Sequence, residues 1–436
     1  MNQLLKQRIA QLKNGKIPTG YKKTVFGIFP CDWETDKRLK DLGVFGKGKG
    51  LPGEKMVSSG VPCVGYGDIY MKYNYHFEEA QSFVDEETAS ESQPIEKGTL
   101  LFTGTGETAE EIGKCVCYNG NETIYAGGDI ITFVSKEVSP LFLAYQQYQD
   151  FSIRKKAGFG QGHSVVHIQR ENLEKLPVAF PKSLSEQAKI AEILMTWDKA
   201  IELHKQQIEK LKQFKSVCLK KMFPAKGQTV PEWRFKGFTG EWERQRIDDL
   251  IKKGGSGGTP STSHPEYYSG TIPFLSIADI SNSNGNIFNT EKHITEEAVC
   301  ASSAWIVPSG SISLAMYASV GKVAILKDNV ATSQAFFNMI LSEDSTRDYL
   351  YYYLKKMDEF GEWTPYISTG TQGNLNSETV RNLCVSIPKE TTERRIIGNI
   401  LNHIDSCITL YQRKLEAEQK RRKALQQYLL NGIMRV

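Results

Sequence analysis

The sequence predicts an α+β fold in which two mixed α/β modules are separated by two long helices forming an antiparallel coiled coil, the whole being a pseudo-twofold, circular internal repeat. Three observations predict it. The chain resembles itself at a spacing of about half its 436 residues. The best-matching stretches carry a heptad-like apolar pattern. The stretches upstream of them read as short strands divided by Gly, Ser, Thr and Asn-rich loops.

The repeat is clearest where Pro181 to Phe223 meets Pro388 to Leu430 at a constant offset of 207, without a gap. Pro181 matches Pro388, Glu186 matches Glu393, and Ile193-Leu194 matches Ile400-Leu401. Asp198 with Asp405, Ile201 with Ile408 and Leu203 with Leu410 continue the series. Upstream, small shifts of loop length interrupt a match that keeps its order. Asp32-Trp33-Glu34 answers Glu241-Trp242-Glu243, Gly67-Asp68-Ile69 answers Ala278-Asp279-Ile280, and Gly113-Lys114 answers Gly321-Lys322.

The two matched stretches are long helices. One seam runs Ile190, Leu194, Trp197, Ile201, His204, Ile208, Leu211, Lys215, Cys218, Met222 in steps of four and three, the spacing of a left-handed coiled coil. The other keeps the register through Ile397, Leu401, Ile404, Ile408, Tyr411, Leu415, Glu418, Arg422, Leu425 and Leu429. A helix of about 38 residues is a rod of roughly 57 Å. Two such helices in one phase bury their seams most economically against each other. Leu4, Leu5, Ile9 and Leu12 form a shorter apolar stripe before a Gly/Pro break, a counterpart of Val217 to Phe223. The units are then circularly related: helix end, module, helix start.

The expected divisions are an N-terminal helical segment at 1–20, a first module at 21–181 and a central helix at 182–229. A second module at 230–388 and a C-terminal helix at 389–436 follow. Within the modules, strands are expected at Ile130 to Val134, Ser311 to Ala315 and Val323 to Leu326. One helix each is expected at Pro140 to Gln149 and Thr346 to Met357.

Composition and motifs narrow the chemistry. With 40% hydrophobic and 24% charged residues the chain can bury more than one core. Its net charge of +4 permits a polyanionic partner without requiring one. The N-terminal stretch is polar and Lys-rich, and no apolar run is long enough to cross a bilayer, so a cytoplasmic location away from membranes is expected. Eight cysteines stand singly apart from Cys115 and Cys117, which at strand spacing share one face as core residues. Gly43 to Lys49 has the GxxxxGK spacing of a phosphate loop, but Gly50 stands where Ser or Thr must meet magnesium. Gly254, Ser256 and Gly258 fit GxSxG only within a glycine run. His163, His167, His264 and His293 show no metal-ligand spacing. No catalytic residue and no metal site is assigned.

The two-copy layout closes each module with Gln161-Gly162 or Gln372-Gly373, then Pro181 or Pro388. There follow Glu186-Gln187, Ile190, Ile193, Leu194, Asp198 and Ile201 in one helix, and Glu393, Ile397, Ile400, Leu401, Asp405 and Ile408 in the other. This pattern, over nearly the whole chain, resembles the DNA-specificity subunit of Type I restriction-modification systems. Gly258-Thr259-Pro260-Ser261 with Tyr267-Tyr268 and Ile272-Pro273-Phe274 looks like that family's opening loop for a target-recognition domain. The first copy departs there with Gly48-Lys49-Gly50-Leu51-Pro52, which implies different targets for the two modules.

The resemblance implies a non-catalytic scaffold whose two target-recognition domains each read half of a bipartite, asymmetric double-stranded DNA sequence, with the helices setting the gap. It implies two methylation subunits docked on the helices, bringing S-adenosylmethionine. Restriction subunits would bring ATP and Mg, with no cofactor in this chain itself. Lys199, Lys205, Lys210, Arg413, Lys414 and Lys420 on the outward helix faces serve partner docking or solvation. Base edges are read by polar side chains while phosphate contacts fix register. Candidates in the first module are Lys47, Lys49, Tyr66, Arg154, Lys155, Lys156, Gln161 and His163. In the second they are Thr259, Ser261, Thr262, Tyr317, Thr369, Gln372 and Asn374. Arg154-Lys155-Lys156 is the expected phosphate contact, because a like-charge run resists burial. A purely protein-binding rod is the competing reading, and it predicts no salt-sensitive DNA binding.

Overall fold

A computed structural model describes residues 3–51, 53–162, 165–368 and 373–436. The chain divides into two compact units, one of residues 1–202 with 416–436 and one of residues 203–415. Each unit therefore takes its second helix from the other half of the sequence.

In the first unit a five-stranded sheet runs, in spatial order, Gly43–Lys47, Ile130–Ser135, Thr99–Thr103, Cys115–Tyr118, His76–Phe77. Its centre is an unbroken buried run, the mark of a sheet covered on both faces. Alternation divides those side chains between two cores. Leu100, Phe102, Cys115, Cys117 and Phe133 join a core with Phe142 and Tyr145 of the helix Pro140–Gln146. Leu101, Val116, Tyr118 and Ile130 join Val64, Ile69 and Tyr73 on the other side. Cys115 and Cys117 do share one face. A four-stranded sheet follows the order Ser82–Val84, Val61–Val64, Ile124–Ala126, Gln93–Ile95.

The second unit repeats this topology strand for strand. Its five-stranded sheet is Ile251–Ser256, Phe336–Leu341, Ile312–Ala315, Val323–Leu326, Asn286–Ile287. Its four-stranded sheet is Lys292–Ile294, Ile272–Leu275, Val330–Thr332, Ile306–Val307. In each larger sheet only the last pair is parallel, and in each smaller sheet only the middle pair. A two-stranded ladder closes each module, Trp33–Glu34 on Phe180–Pro181 in the first and Glu243–Arg246 on Cys384–Ile387 in the second.

The long helices are Leu184–Lys221 and Thr391–Leu430. They run antiparallel within each unit. In the first, Ile190 and Leu194 share a core with Leu425 and Leu429 while Asp198 meets Arg422. In the second, the His204 ring lies 6.1 Å from Tyr411 and Lys215 meets Asp405. Ile190, Leu194, Ile201, Ile208, Ile397, Leu401, Ile404 and Ile408 are buried, and Trp197, Leu211, Leu415 and Leu425 half-buried. The seam residues are not reserved for helix-to-helix contact. Ile190 and Leu194 belong to the same core as Trp33, Phe142 and Phe180, and Ile397 and Leu401 to that of Trp242 and Tyr349. Each helix end is part of a module's interior.

Two expectations are corrected. The helix expected over Pro140 to Gln149 is broken into two, Pro140–Gln146 and Asp150–Ala157, while the one expected over Thr346 to Met357 lies within a single longer helix, Asp344–Glu359. The N-terminal helix Gln3–Lys13 buries none of its residues and is not the structural counterpart of Val217 to Phe223. That place in the first core is taken by Leu429 and Leu430, from the end of the second long helix. The N-terminal helix is tethered by Arg8, which donates to the Ile433 carbonyl at 3.0 Å and lies over the Tyr21 ring. Among the described residues no helix is long and apolar enough to cross a membrane.

Candidate nucleic-acid interface

In each module several loops leave the same end of the five-stranded sheet. In the first, the strand ends Lys47, Ile130, Thr103 and Cys115 lie side by side through the pairs Lys47 with Ile131, Ile130 with Thr103 and Phe102 with Cys115. The hairpin loop Gly104–Lys114 rises between Thr103 and Cys115. It is bound to the segment after the helix Asp150–Ala157, because Thr105–Gly106 pairs with Val166–His167. Gln161 and His167 exchange backbone bonds at 3.0 and 2.8 Å, and Gly162 next to Gln161 holds a φ of +119° that suits glycine. The Gly48 amide donates to Ile130 O, and the Gly104 amide to Asp129 O, which brings the Lys47–Lys49 segment to the same sheet end.

The second module is built alike. Ser256, Ala315, Phe336 and Val323 end their strands together. The hairpin loop Met316–Lys322 lies beside the closing segment, for Leu375 N donates to Met316 O at 2.9 Å. Ser368 N donates to Asn374 O at 3.0 Å, and Ser368 Oγ to Asn374 Oδ1 at 2.7 Å. Thr259 Oγ1 donates to Gln334 Oε1 at 2.7 Å, and Ser256 Oγ bonds Ser377 Oγ. Ala318 and Ser319 both hold positive φ, +38° and +61°, a conformation that costs non-glycine residues about 1–3 kcal/mol and concentrates at functional loops.

These loops collect most of the candidates. Lys47, Lys49, Gln161, Thr259 and Tyr317 are exposed there, and Asn374 is half-buried. Tyr66 opens the short helix Tyr66–Met71 one turn before Tyr70, and so lies on the same face. Tyr70 OH donates to Thr105 O and bonds Thr103 Oγ1, which pins the hairpin, and burial raises the phenol's pKa. Arg154 and Lys155 are exposed on the helix that leads into the Gln161 turn, with Lys155 Nζ over the Phe159 ring. Ser261 and Thr262 are exposed farther along their loop, where Ser261 Oγ bonds Ser263 Oγ at 2.7 Å. His163, Thr369 and Gln372 lie outside the described residues.

Lys156 is corrected. It is 4% exposed, and its Nζ donates to the carbonyls of Gly113 at 2.8 Å and Gln147 at 3.2 Å. It is not available to a phosphate. On a helix, three consecutive residues point in three directions, so a charge run cannot stay wholly on one face. Desolvation lowers the Lys156 ammonium to about 8. The hairpin Gly104–Lys114, with exposed Glu107, Thr108, Glu110 and Glu111, was missed from sequence. Its only local signal is the Gly104-x-Gly106 pair.

The motif-like stretches take other geometries. Gly43–Lys47, the start of GxxxxGK, is an edge strand. Gly254 to Ser256 also lies in a strand. Among the described residues no three His, Cys, Asp or Glu side chains gather to hold a metal. Glu186-Gln187 and Glu393 are helix anchors. Glu186 accepts from Arg435 at 2.6 and 2.9 Å, Glu393 from Arg234 at 2.8 and 3.0 Å, and Gln187 bridges Pro181 O and Ser139 N.

Comparison with known proteins agrees with this duplicated geometry. The family described as Type I restriction modification DNA specificity domain matches twice, at residues 30–213 and 239–419. The Type I restriction enzyme MjaIX specificity subunit of Methanocaldococcus jannaschii is 33% identical over 182 residues, which are 41% of this chain and 41% of that relative's length. The putative type I restriction enzyme MjaX specificity subunit of the same organism is 24% identical over 439 residues, 95% of this chain and 97% of that one. The crystal structure of the Type-I restriction-modification system S subunit from M. genitalium shares the fold, with a TM-score of 0.61 at 15% identity over 91% of this chain and 96% of that chain. With both copies of the domain matched over most of its length, the chain belongs to the Type I restriction modification DNA specificity family.

Proposed function

We propose that this chain is the non-catalytic sequence reader of a cytoplasmic Type I restriction-modification complex, each module reading one half of a bipartite, asymmetric duplex target. The observation that carries the reading is the contrast between repeated and unrepeated parts. Sheet order and helix register are the same in both units, while the loops at the equivalent sheet end differ in length and chemistry. One scaffold then presents two independent readers.

In the first module Lys47, Lys49, Arg154 and Lys155 meet phosphates, and Gln161 and His163 approach base edges; a glutamine amide matches the paired donor and acceptor of adenine. In the second, Thr259, Ser261, Thr262, Tyr317, Thr369, Gln372 and Asn374 offer hydroxyls and amides that hydrogen-bond base edges without a strong field. The two long helices set the length of the unread gap. Their outward faces dock two methylation subunits, which supply S-adenosylmethionine and the methylating site. Restriction subunits supply ATP- and Mg-dependent cleavage.

Binding of duplex DNA by the chain co-expressed with its methylation subunits tests this. Log affinity is expected to fall linearly with log salt concentration, by a slope of about 0.9 per phosphate neutralised. Salt-independent association, or none, would support the protein-binding rod instead.

A further inference from the structure

A loop discriminates between ligands only if its backbone is held in one pose by residues behind it. In the first module the hairpin Gly104–Lys114 is held from behind by Lys156. The ammonium takes the Gly113 carbonyl, and the side-chain stem lies so close that a Cβ on Gly113 would sit 3.0 Å from Lys156 Cδ. Gly113 has φ +67° and Gly321, its counterpart in the second hairpin, φ +90°. The residue behind Gly321 is Trp363, where a Cβ on the glycine would meet ring atoms Cδ1 and Nε1 at 2.4 and 2.6 Å.

Lys156 and Trp363 are separated by the same 207 positions that relate Asp198 to Asp405. Both are almost fully buried, at 4% and 3% exposure. Neither can touch DNA. Two unrelated side chains thus stand behind equivalent glycines of the two hairpins, at the sheet ends where the candidate loops gather. Lys156 acts by directed hydrogen bonds. Trp363 acts by shape, for its buried Nε1 has no hydrogen-bond partner.

We propose that Lys156 and Trp363 are positioning residues, each locking the hairpin of its own module from behind and so setting how strictly that module discriminates between bases. The inference rests on the modules being DNA readers. It assigns specificity control to two residues that never reach the ligand.

The test maps modified sites by single-molecule sequencing in a strain carrying the complete system with Lys156→Met, and separately Trp363→Phe. Methionine keeps the stem and removes the donor. Phenylalanine keeps an aromatic ring and withdraws the atoms nearest Gly321. Lys156→Met is expected to raise modification of sites mismatched in one half of the motif roughly tenfold, as loss of about one base-pair's discrimination does, with the other half as strict as in wild type. Trp363→Phe is expected to do the same in the opposite half. Gly113→Ala and Gly321→Ala press on the same contacts from the loop side and must relax the same halves, which decides the matter if either first variant fails to accumulate. Folded variants with an unchanged motif, or with both halves relaxed together, overturn the inference. A wild-type system without a bipartite motif overturns the DNA reading itself.

Discussion

Arg422 grips Asp198 with two parallel hydrogen bonds, Nε to Oδ1 at 2.7 Å and Nη2 to Oδ2 at 3.0 Å, while its guanidinium stacks 4.1 Å above the Tyr75 ring. Tyr145 OH donates to the same carboxylate at 2.7 Å. At the equivalent place in the other unit, Lys215 Nζ meets Asp405 Oδ1 at 2.6 Å and Tyr352 OH meets Oδ2 at 2.8 Å. The paired aspartates of the repeat are therefore helix-to-helix anchors that also tie in a tyrosine of each module.

The anchors differ in kind, and the difference is measurable. Arg422→Ala is expected to destabilise the first unit by about 3 kcal/mol, since it leaves a partly buried carboxylate unpaired. Arg422→Lys should recover less than half of that, because an ammonium cannot supply the fork or the stacking. Lys215→Arg should be tolerated within about 1 kcal/mol. Denaturant unfolding with hydrogen exchange resolved by unit checks the ordering, and equal losses for Arg422→Ala and Arg422→Lys would contradict it.

Arg435 ties the end of the chain into the first unit by bonding both Glu186 and Asp32. The bond from Arg435 holds the Asp32 carboxyl below its ordinary pKa. A depressed carboxylate stabilises the fold above its ordinary pKa and loses that contribution as pH falls through the folded value. Arg435→Ala should therefore lower the melting temperature near neutral pH, and the gap to wild type should narrow as pH falls below about 4. A gap that stays constant across acid pH would show that the pair is not linked to proton binding.

At Lys156 the charged form is the one that burial penalises, so here too stability rises with pH. Its folded value of about 8 lies below the ordinary lysine value, so the unfolded chain binds the extra proton between pH 8 and roughly 10.5. The penalty for burying the charge is complete below pH 8 and fades as pH rises. Wild type should gain about 3 kcal/mol relative to Lys156→Met over that interval. A pH-independent difference in unfolding free energy from pH 7 to 10.5 would contradict the burial of a titrating amine.

Sequence made the repeat and the seams legible because both are periodic. Ile190, Leu194, Ile397 and Leu401 must recur at helical spacing to be buried at all. It did not reveal that these residues also fill the module cores, because periodicity marks which face is covered and not by what. Lys156 falls inside for a related reason: charge argues for solvent, while two of its donors are taken by the Gly113 and Gln147 carbonyls, whose availability depends on a helix break invisible in the pattern. The candidate loops were found where a motif marked them, as at Gln161, and missed where only geometry does, as at Glu107 to Glu111. Thr105 meets His167 across 62 positions of sequence, a separation over which no local rule operates.

The central claim, one module per half-site, is tested most directly by the motif written in DNA by the complete system carrying Gln161→Ala. Single-molecule sequencing of modified sites should show one half of a bipartite motif relaxed, by about 1–3 kcal/mol per lost base contact, with the other half and the gap length unchanged. Gln372→Ala should relax the opposite half. Relaxation of both halves by either substitution would contradict the account.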